Sequence, residues 1–196
     1  GMQLLLINPR NPLVNITNRK NYWNKYRVWK PLGLLVLAGL TPPEWKITIV
    51  DENVRLPDYD KLPRPDFVGI TAFTSQAPRA YEIAAVFRAL GVPVAMGGIH
   101  ATMRHEEAGE RVDVVVTGEA ESVWVQVLQD AARGTLQPLY AGGQESMEKT
   151  PIARHDLLPT GYHLGAVQTT RGCPLSCNFC SVSTFNGRSY RHRSIA

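Results

Sequence analysis

Short apolar runs recur along the chain, separated by stretches in which apolar positions return every three or four residues. The runs at residues 3–7, 46–50, 67–71, 92–96 and 112–116 are rich in Leu, Val and Ile. Each is closed by small or polar residues: Asn8-Pro9, Asp51-Glu52-Asn53, Ala72-Phe73-Thr74, Gly97-Gly98 and Thr117-Gly118. Runs this short and this continuous predict strands buried on both faces. Pro31 opens an apolar helix through residue 40, stopped by Thr41-Pro42-Pro43. From Pro78, a helix carries Ala80, Ile83, Ala84, Phe87 and Leu90 on one face, with Gly91 placed to cap it. A short helix is expected around residues 102–108. A further one presents Trp124, Val127, Leu128 and Ala131 on one side, with Gly134 behind it.

Strands alternating with helices predict an α/β fold: a flavodoxin-like (Rossmann-like), doubly wound parallel sheet of five strands in the order 2-1-3-4-5. Residues 10–30 interrupt the alternation with a polar, aromatic and basic excursion that lacks clean periodicity. Excursions of that length are more often functional than idle, and its basic-aromatic part, residues 18–30, would cover a cofactor, contact an anionic substrate or pack on another domain. From residue 134 to 161 the composition turns to Gly, Pro and charge, as in a connector. Residues 165–170 read as a new strand. The expected division is a first domain over 1–140, a linker over 141–164, and the start of a second domain over 165–196.

In a doubly wound sheet, ligands bind at the carboxyl ends of the strands, beside the point where strand order reverses. The residues predicted there are Asn8, Pro9 and Arg10, Asp51 and Glu52, Thr74 and Ser75, Gly97, Gly98 and His100, and Thr117, Gly118 and Glu119. Gly97-Gly98 lets backbone approach a bulky ligand, and Thr74 and Ser75 offer hydroxyls at a helix start. The same residue types also make ordinary turns. His100 reads equally as a packing or capping residue and as a cofactor contact. Asp51 and Glu52 are adjacent on a strand end and point apart, a poor acid/base pair. His105, Glu106 and Glu107 read as a solvated helix face. Neither a Ser/His/Asp arrangement nor P-loop spacing occurs.

All three cysteines, Cys173, Cys177 and Cys180, fall in one C-x3-C-x2-C stretch. Such crowding is unlike a disulfide framework and implies thiols kept for metal in a reducing, cytoplasmic compartment. Neither residues 4–7 nor 32–40 form an apolar run long enough for a signal peptide or a membrane span. The hydrophobic fraction of 44% supports a substantial core. The net charge of +4 is modest, drawn largely from Arg19, Lys20, Lys25, Arg27 and Lys30 and from Arg188, Arg191 and Arg193. These read as solvated faces or anion sites, and no nucleic-acid partner is expected. A structural zinc would want a fourth ligand, with His163 or His192 available at no close spacing. Three thiolates on a 4Fe–4S cubane would instead leave one iron open.

C-x3-C-x2-C with Phe179 before its last cysteine resembles the signature of the radical S-adenosylmethionine enzymes. The lead-in Thr170-Arg171-Gly172-Cys173-Pro174 and the later Tyr190-Arg191-His192-Arg193-Ser194 are similar to the subgroup with an N-terminal cobalamin-binding domain. Upstream, Pro31-Leu32-Gly33-Leu34-Leu35, Asp51-Glu52, Gly97-Gly98-Ile99-His100-Ala101-Thr102 and Val114-Val115-Val116-Thr117-Gly118-Glu119 look like that subgroup too. The resemblance covers nearly the whole chain. The cysteine motif is highly specific, and the upstream matches are specific only together.

The resemblance implies that Cys173, Cys177 and Cys180 ligate three irons of a 4Fe–4S cluster. S-adenosylmethionine would chelate the fourth, with Phe179 beside its adenine. It implies reductive cleavage of S-adenosylmethionine to start radical chemistry, commonly methyl transfer through cobalamin to an unreactive carbon of a small molecule and in some members cyclisation. It further implies an electron donor such as a flavodoxin or ferredoxin. The strand-end residues, Thr102 among them, would then form the cobalamin site. The D-x-H-x-x-G motif that supplies cobalt with a histidine in other cobalamin domains is absent, so no protein ligand to cobalt is named. Gly1 before Met2 reads as a cloning remnant, and only 16 residues follow Cys180, whereas a βα-barrel needs roughly 150 to 250 more. The chain is therefore expected to be a piece of a longer enzyme and inactive alone. Two other classes stay open: a non-catalytic module for cobalamin or another nucleotide-like ligand, and a zinc-binding structural domain.

Overall fold

The protein is described by a computed structural model covering residues 1–16 and 22–194. Arg19 and Lys20 of the basic excursion lie outside the described residues. In chain order the elements are β1 (Met2–Asn8), α1 (Leu32–Leu40), β2 (Trp45–Asp51), β3 (Phe67–Thr71), α2 (Ala77–Ala89) and β4 (Val94–Gly97). There follow α3 (Ile99–Met103), α4 (His105–Arg111), β5 (Val114–Thr117), α5 (Trp124–Arg133) and β6 (Leu139–Ala141). Last come β7 (Thr170–Arg171), α6 (Val182–Asn186) and β8 (Arg191–His192).

The main sheet runs β2-β1-β3-β4-β5-β6, all parallel, a flavodoxin-like Rossmann-type arrangement. Its strands read as unbroken apolar runs because both faces are covered, and the two-residue period sends alternate side chains to opposite cores. Leu5, Ile7, Val68, Ile70, Val94 and Met96 meet Ala80, Ile83, Ala84 and Phe87 of α2 on one face. Leu4, Leu6, Phe67, Ala95, Val114 and Val116 meet Leu34, Leu35 and Ala38 of α1 and Trp124, Val127 and Leu128 of α5 on the other. Each such side chain contributes about 1.5–3 kcal/mol on burial, so these two layers fix the register that holds the strand ends in line.

Three expectations need correction. The sheet has six strands rather than five, because β6 forms inside the stretch read as connector. Its three residues bury only Tyr140, too few for a periodic signal. The phenol donates to Asp130 Oδ2 at 2.6 Å and accepts from Gln137 N at 3.0 Å. The strand expected over 165–170 shrinks to β7, paired antiparallel with β8; Val167 is 85% exposed and has no layer to pack on. The single helix expected around 102–108 is two, divided at Arg104. Among the described residues no helix is long and apolar enough to cross a membrane.

Candidate functional site

Strand order reverses between β1 and β3, and a cavity of about 590 Å³ opens there at the carboxyl edge of the sheet. Its floor is made of small residues, Gly69, Ala95 and Gly97, on neighbouring strands. The register sets Leu6 beside Gly69 and Gly69 beside Ala95. A Cβ on Gly69 would stand 2.9 Å from Leu6 Cδ2 and 3.5 Å from the Trp124 ring, so glycine keeps the floor low. Leu34 and Leu37 of α1 and Trp124 of α5 form the apolar walls. At the rim, Gly98 turns the chain with φ +95°, and a Cβ there would meet Thr71 Oγ1 at 2.9 Å. Only glycine lets the backbone lie this close to the ligand space.

Side-chain amides set the polar rim. Gln76, buried at the start of α2, donates to Asn8 Oδ1 at 2.9 Å and to the Pro9 carbonyl at 2.6 Å, and accepts from Phe73 N at 2.9 Å. Asn53 accepts from Asn11 N at 2.7 Å and donates to the Pro9 carbonyl at 3.0 Å. Together they tie the start of the excursion to β2 and β3. The end of the excursion, Arg27 to Lys30, forms another wall, with Trp29 62% exposed at the mouth.

The predicted site residues divide into three groups. Asn8, Gly97, Gly98, Gly118 and Glu119 line the cavity. Thr102 and Thr117 line a neighbouring open cleft of about 450 Å³ beside Gly142 and Gly143. Pro9, Arg10, Asp51, Glu52, Thr74, Ser75 and His100 line neither. The Pro9 carbonyl and Arg10 N–H are engaged from behind, the latter by Glu52 Oε1 at 3.1 Å.

Glu52 is fully buried and receives a forked contact from Arg79, Nε at 2.9 Å and Nη2 at 2.8 Å. Burial raises its pKa, but the guanidinium, the Arg10 N–H and the Tyr59 hydroxyl outweigh that and hold it below the usual carboxylate range. Asp51 goes the other way. Burial pushes its carboxyl up despite hydrogen bonds from Tyr162 at 2.5 Å, Asn53 and Asn8. Both carboxylates serve the scaffold. His100 is buried behind α3, its Nε2 3.0 Å from the Tyr81 hydroxyl and 3.0 Å from Glu107, its Nδ1 3.3 Å from Thr74 Oγ1. Among the described residues, the cavity lining contains no His, Cys or Met.

The cysteine loop lies at the same sheet edge. Cys173 and Cys180 are half-buried and Cys177 is exposed; Cys173 N donates to the Gly187 carbonyl at 3.2 Å and Cys180 N to the Cys177 carbonyl at 3.1 Å. The three thiols share one loop but are not drawn to one point: among the described residues no three His, Cys, Asp or Glu side chains gather as a metal site. Phe179 is 93% exposed. Around the loop, Gln168, Arg171, Phe185 and Asn186 reach the cavity lining. Sequence reading missed Gln76, Gly69 and Asn186 as site residues. A glycine inside an apolar strand is a readable signal for the second, whereas nothing local marks the other two.

A doubly wound sheet with a glycine-floored cavity at its switch point is the arrangement in which such folds bind their ligands. The chain belongs to the B12 binding domain family, whose pattern matches residues 25–128. It is 36% identical over 184 residues to a bacteriochlorophyllide d C-8(2)-methyltransferase of Chlorobaculum tepidum, covering 83% of this chain and 38% of that protein. It is 32% identical over 176 residues to a bacteriochlorophyllide d C-12(1)-methyltransferase of the same organism, covering 84% and 38% respectively. A hopanoid C-2 methylase of Rhodopseudomonas palustris is 29% identical over 167 residues, with 82% of this chain and 32% of that protein aligned. The chain thus spans about two fifths or less of the length of these relatives. The low floor and apolar walls suit the face of a corrin.

Proposed function

We propose that the chain is the cofactor-holding N-terminal part of a cobalamin-dependent radical S-adenosylmethionine methyltransferase that acts on a small molecule. The observation that carries this reading is the shared cavity. The sheet contributes Asn8, Gly97, Gly98 and Gly118, while Arg171 and Asn186 from either side of the cysteine loop complete the lining. The activities of the relatives, methylation of bacteriochlorophyllide d and of a hopanoid, support methyl transfer. In this reading the first domain runs over residues 1–140, with a linker over 141–164 and the beginning of the radical domain from 165. The 196-residue chain alone is then inactive.

Cobalamin would carry the methyl group, and a 4Fe–4S cluster held by Cys173, Cys177 and Cys180 would cleave S-adenosylmethionine with an electron from a flavodoxin or ferredoxin. The chain's own residues do the rest. Gly69 and Gly97 leave room, the Gln76 and Asn53 amides hold the rim, and Trp29 and Lys30 cover one side. Phe179, free of any core, is available to lie along an adenine.

Anaerobic loading of the full-length protein with iron and sulfide, followed by hydroxocobalamin, tests this. The expected result is a cubane of four irons whose electron-spin signal changes on adding S-adenosylmethionine, and a shifted visible spectrum of bound cobalamin. One tightly held zinc with no cubane signal would overturn the radical reading.

A further inference from the structure

We propose that Glu119 is a positioning residue, latching the cysteine loop against the cobalamin-binding sheet by gathering groups from both ends of that loop. Its carboxylate is 2% exposed. It accepts from Arg171 Nη1 at 3.4 Å, from Asn186 Nδ2 at 3.0 Å and from Arg191 through both terminal nitrogens, Nη1 at 3.0 Å and Nη2 closer still. Arg171 stands two residues before Cys173, and Asn186 and Arg191 follow Cys180. Glu121 takes the other arm of Arg171 at 2.5 Å. Two carboxylates and two guanidinium groups therefore balance. Arg191 also donates to the Glu145 carbonyl at 2.6 Å and the Asn186 carbonyl at 2.8 Å.

The latch matters because little else holds the segment. Between residues 165 and 194 no apolar side chain is buried. Leu175 is 64% exposed, Phe179 93% and Tyr190 62%. The regular backbone pairing is the two-residue ladder of β7 with β8. Removing a guanidinium while the segment stays docked would leave the Glu119 carboxylate buried and under-compensated, a larger cost than losing an exposed pair. Glu119 also has its oxygens fully engaged, so it serves the cofactor by fixing what stands beside it.

What the two segments hold rests on the functional reading above; the contact itself does not. Hydrogen–deuterium exchange on the cofactor-free protein tests the contact, using Glu119→Gln and Arg191→Lys. The latter keeps the charge and loses the fork. Both are expected to speed exchange of the 165–194 peptides by roughly tenfold or more, the loss of at least one charge-assisted hydrogen bond, with the β1 and β3 peptides unchanged. If Glu119→Gln also loosens the sheet, Arg191→Lys decides. In loaded protein, the magnetic coupling between cob(II)alamin and the reduced cluster should spread to a range of values in both variants, while each cofactor stays bound. Exchange unchanged in both variants overturns the latch. Faster exchange in a protein that takes up neither cofactor leaves the latch standing and removes the functional reading.

Discussion

The sheet and the cysteine segment are held by opposite means. Residues 2–141 are organised by two apolar layers in which Leu6, Ile7, Phe67 and Met96 lose all contact with water. Residues 165–194 bury a single charged side chain, Arg171, and hang on Glu119. Apolar burial is non-directional and tolerates exchange of like for like, whereas an ion-paired carboxylate accepts few geometries. The first region therefore gives a rigid platform and the second a segment whose pose is dictated by direction. The proposed function, which sets one cofactor at a fixed place beside another, would need both.

The difference can be broken most strongly from the platform side. Phe67→Ala, at a fully buried position beside Trp124, should cost about 3–5 kcal/mol of global stability in urea unfolding. Leaving the cysteine segment's exchange slower than the sheet's in that variant would contradict the contrast. Gly69→Val should cost about 1–3 kcal/mol by overpacking against Leu6 and Trp124. The branched side chain raises the cavity floor, so hydroxocobalamin titration should show weakened binding with the segment still latched.

Acid should separate the regions more gently, and the signs differ between two carboxyls. Burial raises the Glu119 pKa, but Arg191, Asn186 and Arg171 together hold it below the usual range. Its stabilising contribution is thus complete above the ordinary carboxylate pKa of about 4.3 and is lost as pH falls through the lower folded value. Asp51 has a raised folded pKa, so its ionised form costs stability above that value and acid relieves the cost. Exchange corrected for intrinsic rate should therefore rise first in the 165–194 peptides as pH drops below about 4, before the β2 end responds. Smallest of all, Leu175→Ala should leave unfolding within about 0.5 kcal/mol of wild type, because its side chain is 64% exposed.

How much of this was legible depended on the range over which each signal acts. The apolar runs announced β1 to β5, because burial on both faces writes itself into consecutive residues, and the helical spacing gave the inward faces of α2 and α5. β6 was illegible: three residues with one buried tyrosine carry no period. The strand-end list found Asn8, Gly97, Gly98, Gly118 and Glu119 at the cavity, since topology alone places them there. It could not tell that Asp51 and Glu52 turn inward to Tyr162 and Arg79, nor that Glu119 is spent on residues 52, 67 and 72 positions away. Such pairings depend on where a distant segment docks, and no local spacing encodes them.

The short ladder between Thr170-Arg171 and Arg191-His192 closes residues 172–190 into a noose whose neck is fastened and whose cysteine stretch, 173–180, buries no side chain. Under the proposed function, iron and sulfide would draw the thiols inward without disturbing any strand of the main sheet. Assembly of such a centre would then be a late event, independent of chain collapse, and its loss in air would leave the surrounding architecture ready to be refilled.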